Sequence, residues 1–243
     1  MRLSAIHRYP IKGFAAESLE AIDLQIAHRL PGDRIAALRH QDRVPPVDSG
    51  WRPKKYFLQS VQTDLLAEIQ VDWAADAVQL THRADRLTLP RPLPKTTELA
   101  DWIAARIPDH PGFVFTEEQT GLTDEPEPFV SLVNQATVDA IAEATGTRSN
   151  PARYRGNLII EGTPAFAEAD WVGAVLTIGE VSFDVIEPTV RCLATECDWQ
   201  GQRDVGFVER LKSQLDTDCC GVFLKVRSAG RLRLGEQLQV LYK

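Results

Sequence analysis

The irregular order of strand-like and helix-like patterns is the feature that most restricts the fold of this chain. Strand patterns, bounded by glycine and proline turns, occur at residues 1–9, 19–26, 34–39, 78–82, 86–89, 129–133, 158–161, 174–178, 181–186, 222–226 and 237–241. Helical patterns occur at residues 60–69, 97–107, 135–144 and 205–215. Because strands and helices do not alternate regularly, a doubly wound parallel sheet is disfavoured and an α+β, β-rich fold is predicted.

Charge and hydropathy exclude several classes of protein. The 243 residues carry a formal net charge of −7 without a basic stripe, so nucleic acid is not expected as a partner. No run of about 18 apolar residues is present, which argues against a membrane-spanning helix. The first ten residues lack the apolar core of a signal peptide, so we expect a cytoplasmic protein. Neither a G-x-G-x-x-G nor a Walker motif occurs.

Residues 116–128 form the predicted boundary between two domains. This stretch is acidic, contains Pro126 and Pro128, and has few residues suited to a core. Such a composition is typical of a connection between domains. The sequence therefore predicts one domain at residues 1–118 and a second at residues 119–243.

The four cysteines lie in the last quarter of the chain, at positions 192, 197, 219 and 220. The C-x4-C spacing followed by a vicinal pair is unlike the two short knuckles of a zinc site. For Cys197, Cys219 and Cys220 we predict the role of small buried hydrophobic residues.

Cys192 has a different setting because it directly follows Arg191. The strand pattern of residues 181–186 precedes it, and Pro188 is predicted to end that strand. A neighbouring guanidinium should favour the ionised thiolate. Cys192 is therefore either a nucleophile or a soft ligand for a metal, and the residues leave both open.

Other charged residues have structural interpretations when each is taken alone. Lys12 fits a solvated turn lysine, and Arg155 fits an ion pair with Glu161 or Asp170. Asp198 fits the cap of a turn. The five histidines are scattered without metal-ligand spacing, so no role is assigned to them.

Five short motifs follow one another along the chain and carry a family resemblance. They are Tyr9-Pro10-Ile11-Lys12-Gly13; Gly32-Asp33-Arg34; Arg153-Tyr154-Arg155-Gly156-Asn157-Leu158-Ile159-Ile160; Arg191-Cys192-Leu193-Ala194-Thr195 followed by Asp198; and Gly221-Val222-Phe223 with Leu234-Gly235-Glu236. Their wording and order resemble the MOSC (molybdenum cofactor sulfurase C-terminal) family with its N-terminal β-barrel domain. The resemblance spans nearly the whole chain. It implies an N-terminal β-barrel domain, a MOSC β-barrel domain, a few peripheral helices, and a cofactor in the cleft between the domains.

The resemblance also implies a cofactor and the residues that hold it. The molybdenum cofactor carries a phosphate, which fixed cations bind well, and a metal that suits a further thiolate ligand. Cys192 is implied as the catalytic residue and the metal ligand. The implied cofactor-binding residues are Lys12, Gly13, Arg34, Glu127, Pro128, Phe129, Arg155, Asn157, Thr189, Val190, Arg191 and Cys192.

The activity implied by the resemblance is that of amidoxime-reducing enzymes. These reduce small N-hydroxylated compounds by oxygen-atom abstraction at molybdenum. The electrons would come from a separate ferredoxin-like or flavoprotein-like donor. Two alternatives stay open: a sulfur carrier that uses a persulfide on Cys192, and a module that binds or stores the cofactor without turnover.

Overall fold

Strands dominate the protein, and the helices between them are few and short. The computed structural model describes residues 1–44, 51–95, 97–118 and 121–242. The predicted α+β, β-rich fold class is confirmed. In the described residues the strands are β1 Arg2–Arg8, β2 Glu17–Leu19, β3 Ala21–Leu24, β4 Ala36–His40, β5 Gln70–Trp73, β6 Ala77–His82, β7 Asp85–Pro90, β8 Phe113–Glu117, β9 Val130–Asn134, β10 Leu158–Glu161, β11 Val175–Ile178, β12 Val181–Val190, β13 Cys219–Ser228, β14 Gly230–Arg233 and β15 Leu238–Leu241. The α-helices are α1 Leu65–Glu68, α2 Glu98–Ala104, α3 Gln135–Thr145 and α4 Phe207–Leu215, and short 3₁₀ turns lie at Lys54–Tyr56, Pro151–Tyr154, Ala167–Trp171 and Leu193–Glu196.

The largest sheet has eight strands in the order β15-β11-β12-β13-β9-β10-β1-β2 and curls into a half-barrel. Its neighbouring strands are antiparallel, except for β9 and β10, which run parallel. Alternate side chains such as Leu132, Phe183 and Leu224 are fully buried in one core. This alternation is the two-residue period that a sheet with one buried face requires.

Helix α3 connects the two parallel strands and begins and ends where its capping residues predict. The side chain of Asn134 accepts a hydrogen bond of 3.1 Å from the backbone N–H of Ala136. Gly146 ends the helix in the left-handed conformation, the C-cap that the sequence predicts. A parallel pair needs a crossover connection of this kind.

The N-terminal strands hydrogen-bond to strands from the second half of the chain. Strand β1 runs antiparallel to β10 with Ile6 opposite Leu158, and β3 runs antiparallel to β14 with Ile22 opposite Leu232. The division at 118/119 stays a prediction. The pairing has a direct consequence for the site, because it places the end of β1 beside the residues that precede β10: the N–H of His7 donates to the carbonyl of Asn157 at 2.7 Å.

A second hydrophobic core lies in the first half of the chain. It is surrounded by the β4–β8 pair, the three-stranded β5-β6-β7 sheet and helix α2. Phe14, Leu38 and Leu80 are among its fully buried side chains. The hairpin predicted from residues 78–82 and 86–89 is present as β6 and β7.

The helix predicted at residues 60–69 is wrong in extent, since only Leu65–Glu68 is α-helical. Polar side chains before it bond to the local backbone instead. The N–H of Leu65 donates to Thr63 Oγ1 over 3.2 Å, and the N–H of Gln59 donates to Gln62 Oε1 over 3.0 Å. These bonds compete with a helical turn and leave only its last part.

Within the part of the chain that the structure describes, no helix has the length and apolar character needed to cross a membrane.

Candidate functional site

Strand β12 continues past Pro188, so the predicted end of the strand at this proline is wrong. The strand runs to Val190, but its register against β13 shifts between Val185 and Glu187 and again between Pro188 and Val190. A proline fits such an irregular ladder because the missing N–H falls where regular pairing is interrupted. The irregular end of β12 reaches the wall of a cavity.

The cavity has a volume of about 340 Å³, and its wall comes from both halves of the chain. Of the residues implied as cofactor-binding, Pro128 is not among those on the wall. The others line it: Lys12, Gly13, Arg34, Glu127, Phe129, Arg155, Asn157, Thr189, Val190, Arg191 and Cys192. The volume is typical of a site for a small molecule.

Cys192 is the exposed member of the four free cysteines. It precedes the 3₁₀ turn Leu193–Glu196, and its carbonyl accepts hydrogen bonds from the N–H of Thr195 at 2.9 Å and from Thr195 Oγ1 at 2.7 Å. These bonds hold its main chain while its thiol stays accessible. Cys197 and Cys220 are buried as predicted, whereas Cys219 is only half-buried.

The guanidinium of Arg191 is buried and bonds to main-chain oxygens. Its Nε donates to the carbonyl of Cys220 at 2.9 Å, Nη2 contacts the same oxygen, and Nη1 donates to the carbonyl of Tyr154 at 2.9 Å. Burial lowers the pKa of Arg191. The side chain therefore ties the end of β12 to β13 and to the Pro151–Tyr154 turn, a structural role that the sequence did not indicate.

Arg34 and Arg155 both stack on the ring of Tyr9. Their guanidinium carbons lie 4.7 Å and 4.3 Å from the ring centroid. The Nη2 of Arg34 donates to the carbonyl of Arg155 over 3.3 Å. Burial acts to lower the pKa of Arg34, but the charge of Asp33, which pairs with it, raises it overall. Two cations that are more than a hundred residues apart in the sequence are thus held side by side on one ring.

Arg155 also contacts Trp199, whose ring centroid lies 4.5 Å from the guanidinium. Its Nη1 donates to the carbonyl of Phe14 at 2.9 Å, and burial lowers its pKa to about 10. The alternative of an ion pair with Glu161 or Asp170 is wrong, because within the described residues Arg155 pairs with neither, and Glu161 pairs with Arg2 instead. The Nη2 of Arg155 is buried and has no hydrogen-bond partner within the described residues.

Lys12 is buried, with 5% of its surface exposed, so the alternative of a solvated turn lysine is wrong. Its Nζ donates to the carbonyl of Leu122 at 2.8 Å and pairs with Asp124. Burial lowers the pKa of Lys12, and Asp124 opposes this shift. Burial alone would raise the pKa of Asp124, but the charge of Lys12 lowers it overall.

Gly13 follows Lys12 with a φ of +86°. A Cβ at this position would lie 3.0 Å from the carbonyl oxygen of Leu58 and 3.2 Å from the side chain of Leu66. The glycine is therefore required by the backbone conformation and by close packing against its own chain.

Asn157 uses its side chain to join strands at the edge of the cavity. Its Oδ1 accepts bonds from the N–H of Ser131 at 3.1 Å and from Ser131 Oγ at 2.9 Å, while its Nδ2 donates to the carbonyl of His7 at 3.2 Å. It is buried. The contacts thus assign it a structural role at the site.

The remaining predicted residues differ in character. The hydroxyl of Thr189 is buried without a hydrogen-bond partner in the described residues, and Val190 is 64% exposed. Glu127 is exposed, and its carbonyl accepts a bond from Arg29 at 3.1 Å. Phe129 stacks on Phe223 with ring centroids 5.3 Å apart.

The wall also contains residues that are not among the predicted site residues: Lys54, Gln59, Ser60, Thr123, Asp124, Glu125, Ser131, Arg153, Tyr154, Glu187, Pro188, Ala194, Thr195 and Phe223. Several of these residues belong to the five motifs, so the sequence contained a signal that could have identified them. One is Arg153, which is buried and donates to the carbonyl of Thr195 at 2.9 Å. Asp198 caps a turn as predicted, since its Oδ1 accepts the N–H of Gln200 at 2.8 Å.

The wall combines several cations with one accessible thiol. Such a site could bind an anionic ligand that also contains a group able to react with, or coordinate to, a thiol. Within residues 1–44, 51–95, 97–118 and 121–242, no group of three or more His, Cys, Asp or Glu side chains is placed to hold a metal ion.

Comparison with known proteins gives one family and a set of similar folds. The family model described as "MOSC domain" matches residues 119–239. No curated protein matches the chain. The crystal structure of the YuaD protein from Bacillus subtilis is similar with a TM-score of 0.52 and 12% identity, covering 100% of this chain and 96% of that one.

The crystal structures of YiiM from Geobacillus stearothermophilus and from Escherichia coli each give a TM-score of 0.37 and 16% identity. These alignments cover 46% and 47% of this chain, respectively, and 54% of each YiiM chain. The likeness to YuaD supports the fold alone. The family model is what identifies the chain: it carries a MOSC domain at residues 119–239 and belongs, through that domain, to the MOSC family.

Proposed function

We propose that the cavity binds a molybdenum cofactor, with which the protein reduces small N-hydroxylated compounds. The observation that carries this proposal is that the exposed thiol of Cys192 and the cations Lys12, Arg34 and Arg155 line one cavity. A cofactor with a phosphate and a sulfur-bound metal needs both features. The MOSC family is associated with binding of this cofactor.

Two polar groups on the wall support a polar ligand. Arg155 Nη2 and Thr189 Oγ1 are buried without a hydrogen-bond partner in the described part of the chain. Buried polar groups in folded proteins are nearly always satisfied, so ligand atoms that formed hydrogen bonds with these groups would remove a cost to stability. The residues present therefore fit the cofactor on chemical grounds.

In this proposal the residues divide the work. Cys192 would ligate the metal, while Lys12, Arg34 and Arg155 would hold the phosphate and orient the cofactor. The stacked rings of Phe129 and Phe223 offer an apolar face against which a substrate could be positioned. When bound, the cofactor supplies two-electron oxygen-atom transfer, and a separate donor protein supplies the electrons.

The test compares Cys192→Ser with Cys219→Ser in protein from a host that makes the cofactor. Benzamidoxime reduction is measured with a small chemical reductant, together with molybdenum content. We expect Cys192→Ser to lose turnover at least a hundredfold with an unchanged thermal unfolding midpoint, and Cys219→Ser to keep it. A Cys192→Ser protein with the wild-type rate would contradict the mechanism.

A sulfur carrier is the second candidate, and the exposure of Cys192 favours it, since a persulfide needs an accessible thiol. Intact mass separates the two. A labile gain of one sulfur atom on Cys192 without metal supports the carrier, and stoichiometric molybdenum supports the reductase. A storage module would carry molybdenum and pterin yet show no turnover with any reductant.

A further inference from the structure

We propose that a basic segment beside the cavity docks an acidic electron-donor protein. The segment, here named the basic rim, is described at residues 39–44 and 51–55. It carries five cations and one carboxylate, namely Arg39, Arg43, Arg52, Lys54 and Lys55 with Asp42. This inference rests on the proposed function, because only a reductase needs an electron donor.

The basic rim adjoins the cavity. Lys54 is itself a wall residue. Trp51 is 37% exposed, and its Nε1 donates to the carbonyl of Thr123, another wall residue, over 3.2 Å. The charge of Lys54 also helps to lower the pKa of Asp124 on the wall. A protein bound to this segment would therefore sit beside the site to which electrons must be delivered.

Main-chain contacts hold the cations of the basic rim together. The Nη1 of Arg43 donates to the carbonyl of Lys55 at 2.8 Å, and the Nη1 of Arg39 donates to the carbonyl of Arg43 at 2.9 Å. Arg43, Lys54 and Lys55 are exposed. Their charges are thus presented to solvent from residues whose main chain is held by these bonds, which reduces the entropy lost when a partner binds.

The rest of the chain gives the basic rim its selectivity. The protein has a net charge of −7, so a local cluster of cations stands out against an acidic molecule. Such a cluster attracts an acidic partner and accelerates its association, whereas the remaining surface repels it. Weak electron-transfer complexes have small interfaces in which charge matters more than buried apolar area.

An acidic loop on another part of the wall would set the orientation of the donor. Glu125 and Glu127 are exposed there, while Asp124 is paired with Lys12. An acidic donor would be drawn to the basic rim and repelled by this loop, so one docking direction is favoured. Replacing Glu125 with lysine should therefore tighten binding.

The test uses the double variant Arg43→Glu/Lys55→Glu, and leaves Lys54 unchanged because it lines the cavity. The matched control is Arg148→Glu/Lys225→Glu, which changes the net charge equally at exposed positions elsewhere. Binding of an acidic [2Fe–2S] ferredoxin and an acidic flavodoxin to the full chain is measured by calorimetry at low and high salt. We expect the dissociation constant for one of these probes to rise at least tenfold in the rim variant and less than twofold in the control.

Wild-type binding should also weaken with salt, and the rim variant should show a flatter dependence. Equal affinities of the rim and control variants, or no salt-sensitive binding of either probe, overturn the docking site. Preferential binding of single-stranded nucleic acid to the basic rim overturns it as well.

Turnover separates this inference from the proposed function. With reduced methyl viologen as a small donor, the rim variant should reduce benzamidoxime at the wild-type rate, and with the ferredoxin or flavodoxin its donor KM should rise at least tenfold. If the wild type shows no turnover with any reductant, the proposed function fails. The binding measurements then still decide whether the basic rim docks an acidic protein.

Discussion

Lys12 and Asp124 form an ion pair on the wall of the cavity, in which the ammonium is nearly buried and the carboxylate is half exposed. The pair joins the turn after β1 to the loop that follows β8, so it connects segments more than a hundred residues apart. An anionic ligand that approached Lys12 would compete with Asp124 for the same ammonium. The protein thus carries its own counter-ion at a cation that we propose for phosphate binding.

Replacing Asp124 with asparagine should destabilise the protein, because Lys12 would stay buried without a full counter-charge. We expect the free energy of unfolding to fall by about 1–2 kcal/mol at neutral pH, a value reduced from that of a fully buried pair because Asp124 is half exposed. Inorganic phosphate should raise the free energy of unfolding of Asp124→Asn more than that of the wild type. Urea unfolding with and without phosphate measures both effects.

Glu125→Gln is the matched control, since it removes a neighbouring exposed carboxylate and should leave the unfolding midpoint unchanged. Equal stability of Asp124→Asn and wild type, with equal responses to phosphate, would show that Lys12 does not depend on this carboxylate.

Cys220 gives the protein a defined sensitivity to alkaline pH. Burial raises the pKa of its thiol to about 12, above its ordinary value of 9.0, although the charge of Arg191 opposes this shift. Below about pH 9 the thiol is protonated in both the folded and the unfolded state, so its full contribution to the free energy of unfolding is present. Between the two pKa values the unfolded state binds fewer protons than the folded state, so stability falls as pH rises, by at most about 1.4 kcal/mol per pH unit.

Urea unfolding at a series of pH values from about 8 to about 11 checks this expectation. The stability of Cys220→Ala should fall less steeply with pH than that of the wild type, because the variant lacks this one thiol while the other titrating groups are shared. Parallel curves for the two proteins would contradict the assignment.

Gly221 occupies a position in β13 that no other residue fits. Its φ is +84°, and a Cβ there would lie 2.1 Å from the backbone oxygen of Leu132 in the neighbouring strand. We expect Gly221→Ala to lose about 3 kcal/mol or more, because the two strands must separate. Gly235→Ala is the control: its φ is +83° with open space around it, so the cost should be about 1 kcal/mol. Thermal unfolding of both variants decides, and equal losses would refute the steric explanation.

Sequence patterns predicted those strands and helix ends that depend mainly on residues close by in the chain. Strand Leu158–Glu161 was predicted with its observed bounds, and the C-cap of α3 at Gly146 was found because a glycine after an apolar periodic run favours the left-handed conformation. The helix at 60–69 failed, since its apolar positions indicated a helix while Thr63 and Gln62 bond to nearby backbone. The predicted end of β12 at Pro188 was also wrong, because an irregularity in the pairing with β13 accommodates this proline within the strand.

The site was predictable only as far as its motifs extend. Lys12 and Arg155 each have a plausible structural interpretation when taken alone, and only their joint occurrence with Arg34 and Cys192 connects them to one site. Lys54 lies in no motif and reaches the wall through the tertiary fold. The direction of a side chain is also not encoded locally. Arg191 stands beside Cys192 in the chain, yet its hydrogen bonds go to carbonyls on β13 and on a turn.

Asn157 provides a final prediction, because the resemblance assigns it to the cofactor and the contacts assign it to the sheet. Its Oδ1 accepts two hydrogen bonds from Ser131, and the backbone N–H of Asn157 donates to Ser131 Oγ at 3.0 Å. We expect Asn157→Ala to lose about 2–3 kcal/mol and Ser131→Ala to lose about 1 kcal/mol, since each leaves buried polar groups without partners.

Urea unfolding of both single variants and the double variant measures the coupling between the two side chains. A coupling energy of about 1 kcal/mol is expected for a shared hydrogen-bond network, so the double variant should lose less than the sum of the single losses. Phe129→Leu, a change on the same wall outside this network, should give additive losses with Asn157→Ala. If Asn157→Ala unfolds like the wild type but no longer retains molybdenum, its role lies with the ligand and the structural assignment fails.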